Sequence, residues 1–394
     1  MKRSTDRMLS SHIGSLPRTQ EALAVLAARN RGEDVTDDVF EATIAAAVAG
    51  TVRQQAQAGI TVVNDGEQSK WAYMAYVSDR LEGFELRALA RDLAAARGSL
   101  AAEAADFPAH YEHWSYGAGA ASLRAHVCTG PVSYRGMDEV DRDIANLKAT
   151  ADAAGQSGVN DLFMTAISPG MVWGQTPNEY CPDDDSYRHA ICDVLAEEYA
   201  RIASAGIVVQ IDCPDLGIPL RAAPGLSLAD YRGVLQSNIE GLNYATRNID
   251  PDMMRIHVCY GADEAPHHRD PELADIVDLL LTARPHGLTL VGANGRHEHE
   301  WKVWEDVELP EGKVIMPGVI DSTTNIIEHP DLVADRIIRY AEVLGRENLI
   351  AGVDCGLATI SGVDQVDPEI AWAKLASLGE GARRATAVLW GRQP

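Results

Sequence analysis

Short apolar, β-branched runs recur along the chain, each ending in Gly, Asp or Asn, with longer stretches of helical period between them. The runs that read as strands are 11–15, 60–65, 126–133, 162–168, 207–212, 254–260, 288–293, 314–321 and 349–354. Amphipathic stretches at 183–205, 227–247, 271–283, 330–344 and 367–389 read as helices. This alternation predicts an α/β fold, a parallel sheet covered by helices. Nine strand candidates for eight slots predict a (β/α)8 TIM barrel with one strand to spare, 126–133 being the weakest. The competing doubly wound sheet lacks its Gly-x-Gly-x-x-Gly after the first strand. Residues 86–123 break the alternation, first rich in Ala, Arg and Glu and then in Gly and Ala. They are expected to form a helical insertion over the barrel mouth or at an interface. No Pro/Ser-rich linker divides the chain, so residues 1–394 are expected to form one domain.

Polar residues gather where the predicted strands end: Gly14-Ser15, Asp65-Gly66-Glu67, Asp212-Cys213-Pro214-Asp215, His257-Val258-Cys259, Ala293-Asn294, Asp321-Ser322 and Asp354-Cys355. In a barrel those ends form one face, the face that carries active sites. His257 and Cys259, two apart on a strand, point the same way. With Cys355 they would make a three-ligand zinc site whose fourth position is open, which suits a metal that activates a ligand. Taken alone, a His-x-Cys pair is more often packed core than ligand; the clustering on one face favours the metal. Trp173 and Tyr180 read equally as a stacking surface and as core. His267 and His268 read as a solvated loop pair more than as ligands.

Bulk numbers narrow the field. A hydrophobic share of 46% and a charged share of 23% are those of a globular protein. The formal net charge of −24 argues against nucleic acid, which requires clustered Lys and Arg. The six cysteines lack paired spacing, no signal-peptide pattern opens the chain, and no stretch approaches the roughly 18 apolar residues that span a bilayer. A cytoplasmic chain with reduced thiols and no membrane partner is expected, which favours metal binding over disulfides. A homo-oligomer is compatible with this, although no residue pattern singles out an interface.

In this order and spacing, a set of strings resembles the cobalamin-independent methionine synthase superfamily, specifically its C-terminal zinc barrel. They are His-Ile-Gly-Ser-Leu-Pro-Arg (12–18), Val-Asn-Asp-Gly-Glu-Gln-Ser-Lys (63–70), Gly-Pro-Val-Ser-Tyr-Arg-Gly (130–136), Gln-Ile-Asp-Cys-Pro-Asp-Leu (210–216), His-Val-Cys-Tyr-Gly (257–261), Arg-His-Glu-His-Glu-Trp (296–301), Pro-Gly-Val-Ile-Asp-Ser-Thr-Thr-Asn (317–325) and Gly-Val-Asp-Cys-Gly (352–356). The likeness is strongest to short, single-barrel members. The second barrel that helps hold polyglutamyl folate in full-length members is expected to be lacking, which leaves the donor open.

The resemblance implies alkyl transfer to a thiol activated as a zinc thiolate, with His257, Cys259 and Cys355 matching three family ligands. It implies that Glu67 and Asp212 hold the ammonium of an amino-acid thiol and that the backbone of Ile13–Ser15 receives its carboxylate. The plainer reading of each acid is a hydrogen-bond anchor at a strand end. Two departures bear on this. Relatives read Glu-Gly-Ala-Asn-Pro-Arg-His-Glu-His-Glu where this chain reads Val-Gly-Ala-Asn-Gly-Arg-His-Glu-His-Glu (291–300), so Val291 stands where the family places a fourth ligand. A substrate thiol or water would then complete the site, or Glu298 would swing in, or the metal would be lost. The family also places a histidine shortly after Asp321, where Ser322-Thr323-Thr324 stand here. His297 and His299, with Asp321, are the candidates for that catalytic role, and Trp173 for lining the substrate cavity.

The expected function is therefore zinc-dependent methyl transfer to a homocysteine-like thiol. Its partners would be a small-molecule thiol and an alkyl donor, a methylfolate or a methyl-donor protein. Alternatives are epoxide–thiol transfer, C–S cleavage, or a non-catalytic barrel that binds a thiol or pterin, which Val291 favours.

Overall fold

The computed structural model describes residues 1–73, 76–88, 100–113, 124–154, 158–363 and 365–391. Eight strands are described: β1 (Val62–Val63), β2 (Leu81–Ala88), β3 (Arg124–Tyr134), β4 (Asp161–Ile167), β5 (Val208–Asp212), β6 (Met254–His257), β7 (Gly287–Leu290) and β8 (Val314–Pro317). Six of them pair in parallel in the order β1-β4-β5-β6-β7-β8. Single parallel bridges close the ring: Ile315 and Gly318 pair with Leu349 and Gly352, Ala351 pairs with Ser10, and Val62 N–H donates to Ser10 O at 2.9 Å. The barrel therefore has its eight positions, but Ser10, just before the run 11–15, and the run 349–354 contribute isolated bridges where full strands were expected. The first position pairs at Ser10, with Ser11 N–H donating to Ala351 O at 2.8 Å, and the residues that follow lead to the mouth.

The spare strand is the one the sequence marked as weakest, without singling it out. β3 leaves the barrel and pairs antiparallel with β2. The departure from alternation thus begins at Leu81 with a β-hairpin and continues into short helices at Ala101–Asp106 and Pro108–His113. The remainder of the predicted insertion, including the Gly/Ala-rich 116–122, lies outside the described residues. Gly83 lets the hairpin bulge: its φ is 92°, and a Cβ there would stand 2.5 Å from Pro131 O.

Caps explain why four helices fall where the sequence put them. Asp183 accepts from Ser186 N–H, Ser227 from Asp230 N–H, and Asp367 from Glu369 and Ile370 N–H. Proline opens Pro330–Leu344 and Pro368–Leu389. The run 271–283 forms only a 3₁₀ turn, Leu273–Asp275, and the four-residue helix Val277–Leu280. The helices pack outside the strands through a large apolar core.

Leu9, Val62, Phe163, Val208, Val314, Met316 and Ile350 form a second, smaller core cluster. Buried beside it is Arg255, which lies over the Phe163 ring at 3.7 Å and donates to Gln210 Oε1, Ser11 Oγ and His12 O at 2.8–2.9 Å. Burial lowers its guanidinium pKa to about 9. Among the described residues no helix is long and apolar enough to cross a membrane.

Candidate metal centre

His257 is the last residue of β6, in register with Asp212 on β5 and Thr289 on β7. Its Nδ1 is 2.9 Å from Thr289 Oγ1, while Nε2 is buried without a hydrogen-bond partner. Cys259 lies two residues past the strand end, and Cys355 follows the Gly352 bridge from the other side of the ring. Their sulfurs are 3.2 Å apart, and one ligand atom from each of the three side chains falls within 4.8 Å of the others. The site is buried: the three residues are 2–7% exposed. Cys259 is the more acidic thiol, held well below the usual range by the hydrogen bond from Cys355 and by His257, with Gly261 N–H donating to it at 3.2 Å. An orphaned imidazole nitrogen facing two soft sulfur donors fits a divalent metal, and a buried polar atom left bare is otherwise a cost.

Asp212 and Glu67 lie beside this group, both buried. Burial pushes the Asp212 carboxyl up to about 7; His257 opposes this and Glu67 adds to it. Its Oδ1 accepts from Gln210 Nε2 at 2.7 Å, and the same amide nitrogen donates to Ile13 O. Glu67 has a left-handed backbone, φ 55°, stabilised by Asp65 Oδ1 accepting its N–H at 3.0 Å. Its Oε1 accepts from Thr165 Oγ1 at 2.8 Å and its Oε2 has no partner. Gly14 (φ 124°) permits the approach, because a Cβ there would strike Thr165 Cγ2 and reach within 3.4 Å of Glu67 Oε1. Ser15 Oγ donates to Ala358 O.

On the other side is a small cavity lined by Tyr260, Gly261, His267, Val291, Asn294, His297, Ser322, Thr323 and Asp354. His297 stacks on Tyr260, ring centroids 4.6 Å apart. Burial disfavours its cation, but Asp270 and Glu300, each 3.0 Å away on opposite ring nitrogens, raise its pKa to about 9. Asp354 accepts three consecutive backbone N–H groups, from Gly292, Ala293 and Asn294, at 2.7–2.9 Å. Asp321 Oδ1 accepts from Thr323 N–H and Oγ1 at 2.8 Å.

The fold thus brings Ile13, Ser15, Glu67, Asp212, His257, Cys259 and Cys355 to one mouth, with His297 and Val291 on the adjoining cavity wall. His299 is directed elsewhere: its side chain is 58% exposed, and Nε2 is 3.5 Å from Glu272. Trp173 packs against Gly241 with Arg188 above its ring, in the helix layer. Glu298 is held by Arg336 Nε at 3.1 Å. His267, expected in solvent, is buried and bound to Asp270 at 2.7 Å, because the loop after Cys259 folds inward onto Arg221 and its carboxylates. Thr289 and the Asp354 turn escaped the sequence reading. The one signal for Thr289 was a hydroxyl within an apolar run.

The molecule is therefore a (β/α)8 barrel with a His/Cys/Cys group at the C-terminal ends of its strands. Residues 178–373 match the family described as the catalytic domain of cobalamin-independent synthase. That match covers just under half of the chain and supports a place in the cobalamin-independent methionine synthase superfamily. It is 24% identical over 355 residues to a 5-methyltetrahydropteroyltriglutamate–homocysteine methyltransferase of Vibrio harveyi, covering 88% of this chain and 40% of that one. It is 23% identical over 350 residues to a methionine synthase of Sulfolobus acidocaldarius, covering 88% and 84%. The chain thus spans well under half the length of the Vibrio relative. Its fold matches that of a B12-independent methionine synthase from Shewanella sp. W3-18-1 in complex with selenomethionine, with a TM-score of 0.69 at 17% identity over 98% of this chain and 99% of that one.

Proposed function

We propose that the chain transfers a methyl group to a homocysteine-like thiol at a zinc ion held by His257, Cys259 and Cys355. The observation that carries this reading is the bare, buried Nε2 of His257 beside two sulfurs 3.2 Å apart. The names of the relatives, homocysteine methyltransferases and methionine synthases, support it. Bound zinc would supply Lewis acidity that makes the substrate thiol a thiolate, the competent nucleophile, at neutral pH. The chain's own residues do the rest. Glu67 and Asp212 offer carboxylate oxygens to the substrate ammonium, and the backbone at Ile13–Ser15 offers its polar groups to the carboxylate. His297 has both ring nitrogens engaged, so it acts as a fixed cation that holds Tyr260 in place, with no free nitrogen for proton transfer. Asp321 positions Thr323 on the cavity wall. Val291 puts an apolar side chain on that wall and leaves the fourth ligand position to the substrate sulfur.

Val291 also favours a second reading, a barrel that binds a thiol without turning it over. Zinc-loaded protein incubated with L-homocysteine and a panel of folate, sulfonium and corrinoid methyl donors, followed by mass spectrometry for methionine, separates the two. Methionine formed by wild type and lost in Cys259→Ser supports transfer. Homocysteine binding without turnover on any donor makes the binding reading correct.

A further inference from the structure

The segment that interrupts the barrel's alternation carries a buried carboxylate. Glu103, in the short helix Ala101–Asp106, is 0% exposed, and it meets the equally buried Arg221 in the helix Pro219–Ala222. Glu103 Oε2 accepts from Arg221 Nε at 2.9 Å and lies 2.8 Å from NH2. The same guanidinium binds Asp263 Oδ1 at 2.8 Å, stands 3.3 Å from Asp270 Oδ1, and donates through NH1 to the carbonyl of Tyr260. Glu103 also reaches further along that loop, its Oε1 lying 3.2 Å from His268 Nδ1.

Tyr260 stands between Cys259 and Gly261, whose N–H donates to the Cys259 sulfur at 3.2 Å. The loop backbone presses directly on the guanidinium. Gly261 has φ 106°, and a Cβ there would stand 2.5 Å from Asp263 Oδ2 and 2.6 Å from Arg221 NH1. Gly217, two residues before the Arg221 helix, packs on Cys259 itself, because a Cβ there would strike its carbonyl oxygen. Charges taken out of water cost about as much as their pairing returns, so such a cluster contributes little net stability over an apolar one. What three carboxylates on one guanidinium fix is geometry, and it is the geometry of the loop that begins at Cys259.

We infer that Glu103 and Arg221 are positioning residues that couple the insertion to the metal centre. Seating of Ala101–Asp106 and the shape of Cys259–Gly261 that turns the thiol toward His257 and Cys355 favour one another. The inference rests on the proposed metal site and goes beyond it, giving the insertion a part in metal binding. Coupling is reciprocal: the factor by which the seated insertion raises metal affinity is the factor by which bound metal favours the seat.

Hydrogen–deuterium exchange of the full chain, with and without zinc, reads the seat, and chelator competition reads the affinity. Zinc is expected to slow exchange in 101–106 of wild type roughly 10-fold more than in the outer helix Asp184–Ser204. Glu103→Gln keeps the shape without the charge, and Arg221→Lys keeps the charge without the fork. Each is expected to lose that extra slowing and to weaken zinc by a similar factor, roughly 10-fold. A merely structural anchor would lower the melting temperature in these variants and leave exchange in 101–106 indifferent to zinc.

Exchange in 101–106 that ignores zinc, slowing no greater than in Asp184–Ser204, or slowing and affinity that survive both substitutions overturns the inference. If neither variant folds, the wild-type comparison decides alone. Wild type that binds no zinc overturns both this inference and the metal site on which it rests. Zinc-coupled seating without methionine formed from L-homocysteine would sink the transfer reading and leave the coupling standing. Methionine formed by a chain whose exchange ignores zinc would do the reverse.

Discussion

Thr289 decides which nitrogen of His257 is free. When the Nδ1 that lies 2.9 Å from its hydroxyl carries the proton and donates it there, Nε2 carries the lone pair a metal needs. Thr289→Val keeps the shape and removes that acceptor, so zinc affinity measured by chelator competition is expected to fall roughly 10- to 100-fold. Unchanged affinity would mean that the hydroxyl does not orient the ring. Val291→Glu acts in the opposite direction. It places a carboxylate on a wall that is 7% exposed, so the metal-free fold should lose on the order of 3 kcal/mol, while zinc binding tightens and recovers the loss. A variant equally destabilised with and without zinc would show that the new carboxylate cannot reach the metal. The grouping of His257, Cys259 and Cys355 was legible because thiols and imidazoles at strand ends are chemically distinctive. The contacts of Thr289 and of the Asp354 turn were not, because they depend on which loops meet across the ring.

The β2–β3 hairpin hangs from the barrel at Arg80, the last residue before β2. Arg80 is bound to Asp143 at 2.6 Å and Glu198 at 3.0 Å, all three buried. Arg80→Met strands both carboxylates and is expected to cost about 3–5 kcal/mol in urea denaturation. A loss below 1 kcal/mol would show that the carboxylates relax into solvent. The turn Pro214–Leu216 and the helix Pro169–Gln175 are tied by Ser168 Oγ donating to Asp215 Oδ1. Burial raises the Asp215 carboxyl from 3.8 to about 6, against the Ser168 hydrogen bond. The folded chain therefore keeps this proton where the unfolded chain has released it. The stability from this group is complete below about pH 4 and is lost as pH rises through 6. Asp215→Asn should flatten the fall in melting temperature between those pH values; an unchanged slope would assign it to other buried carboxylates. Helix ends were readable from their caps. The hairpin's first strand was not, because Leu-Glu-Gly-Phe-Glu-Leu-Arg-Ala has a bulge at its glycine and mixes charge into both faces.

For the whole molecule, the alternation of apolar runs and helical stretches was enough to predict a barrel, because parallel strands must be buried on both faces and joined by crossovers. The sequence could not show that two of the eight positions are held by single bridges, or that the mouth loops fold inward to bury His267 and Arg18. Ring closure is what makes Cys355 a neighbour of Cys259, 96 residues away. The central claim is that these two thiols and His257 hold zinc with one position open for a substrate sulfur. Zinc-edge X-ray absorption on zinc-loaded protein, before and after L-homocysteine, reads that position directly. The account predicts about one zinc per chain with two sulfur neighbours, rising to three with homocysteine, and in Cys259→Ser one sulfur neighbour fewer in each state. Protein that binds no zinc, or zinc whose sulfur count is unchanged by homocysteine, would contradict it.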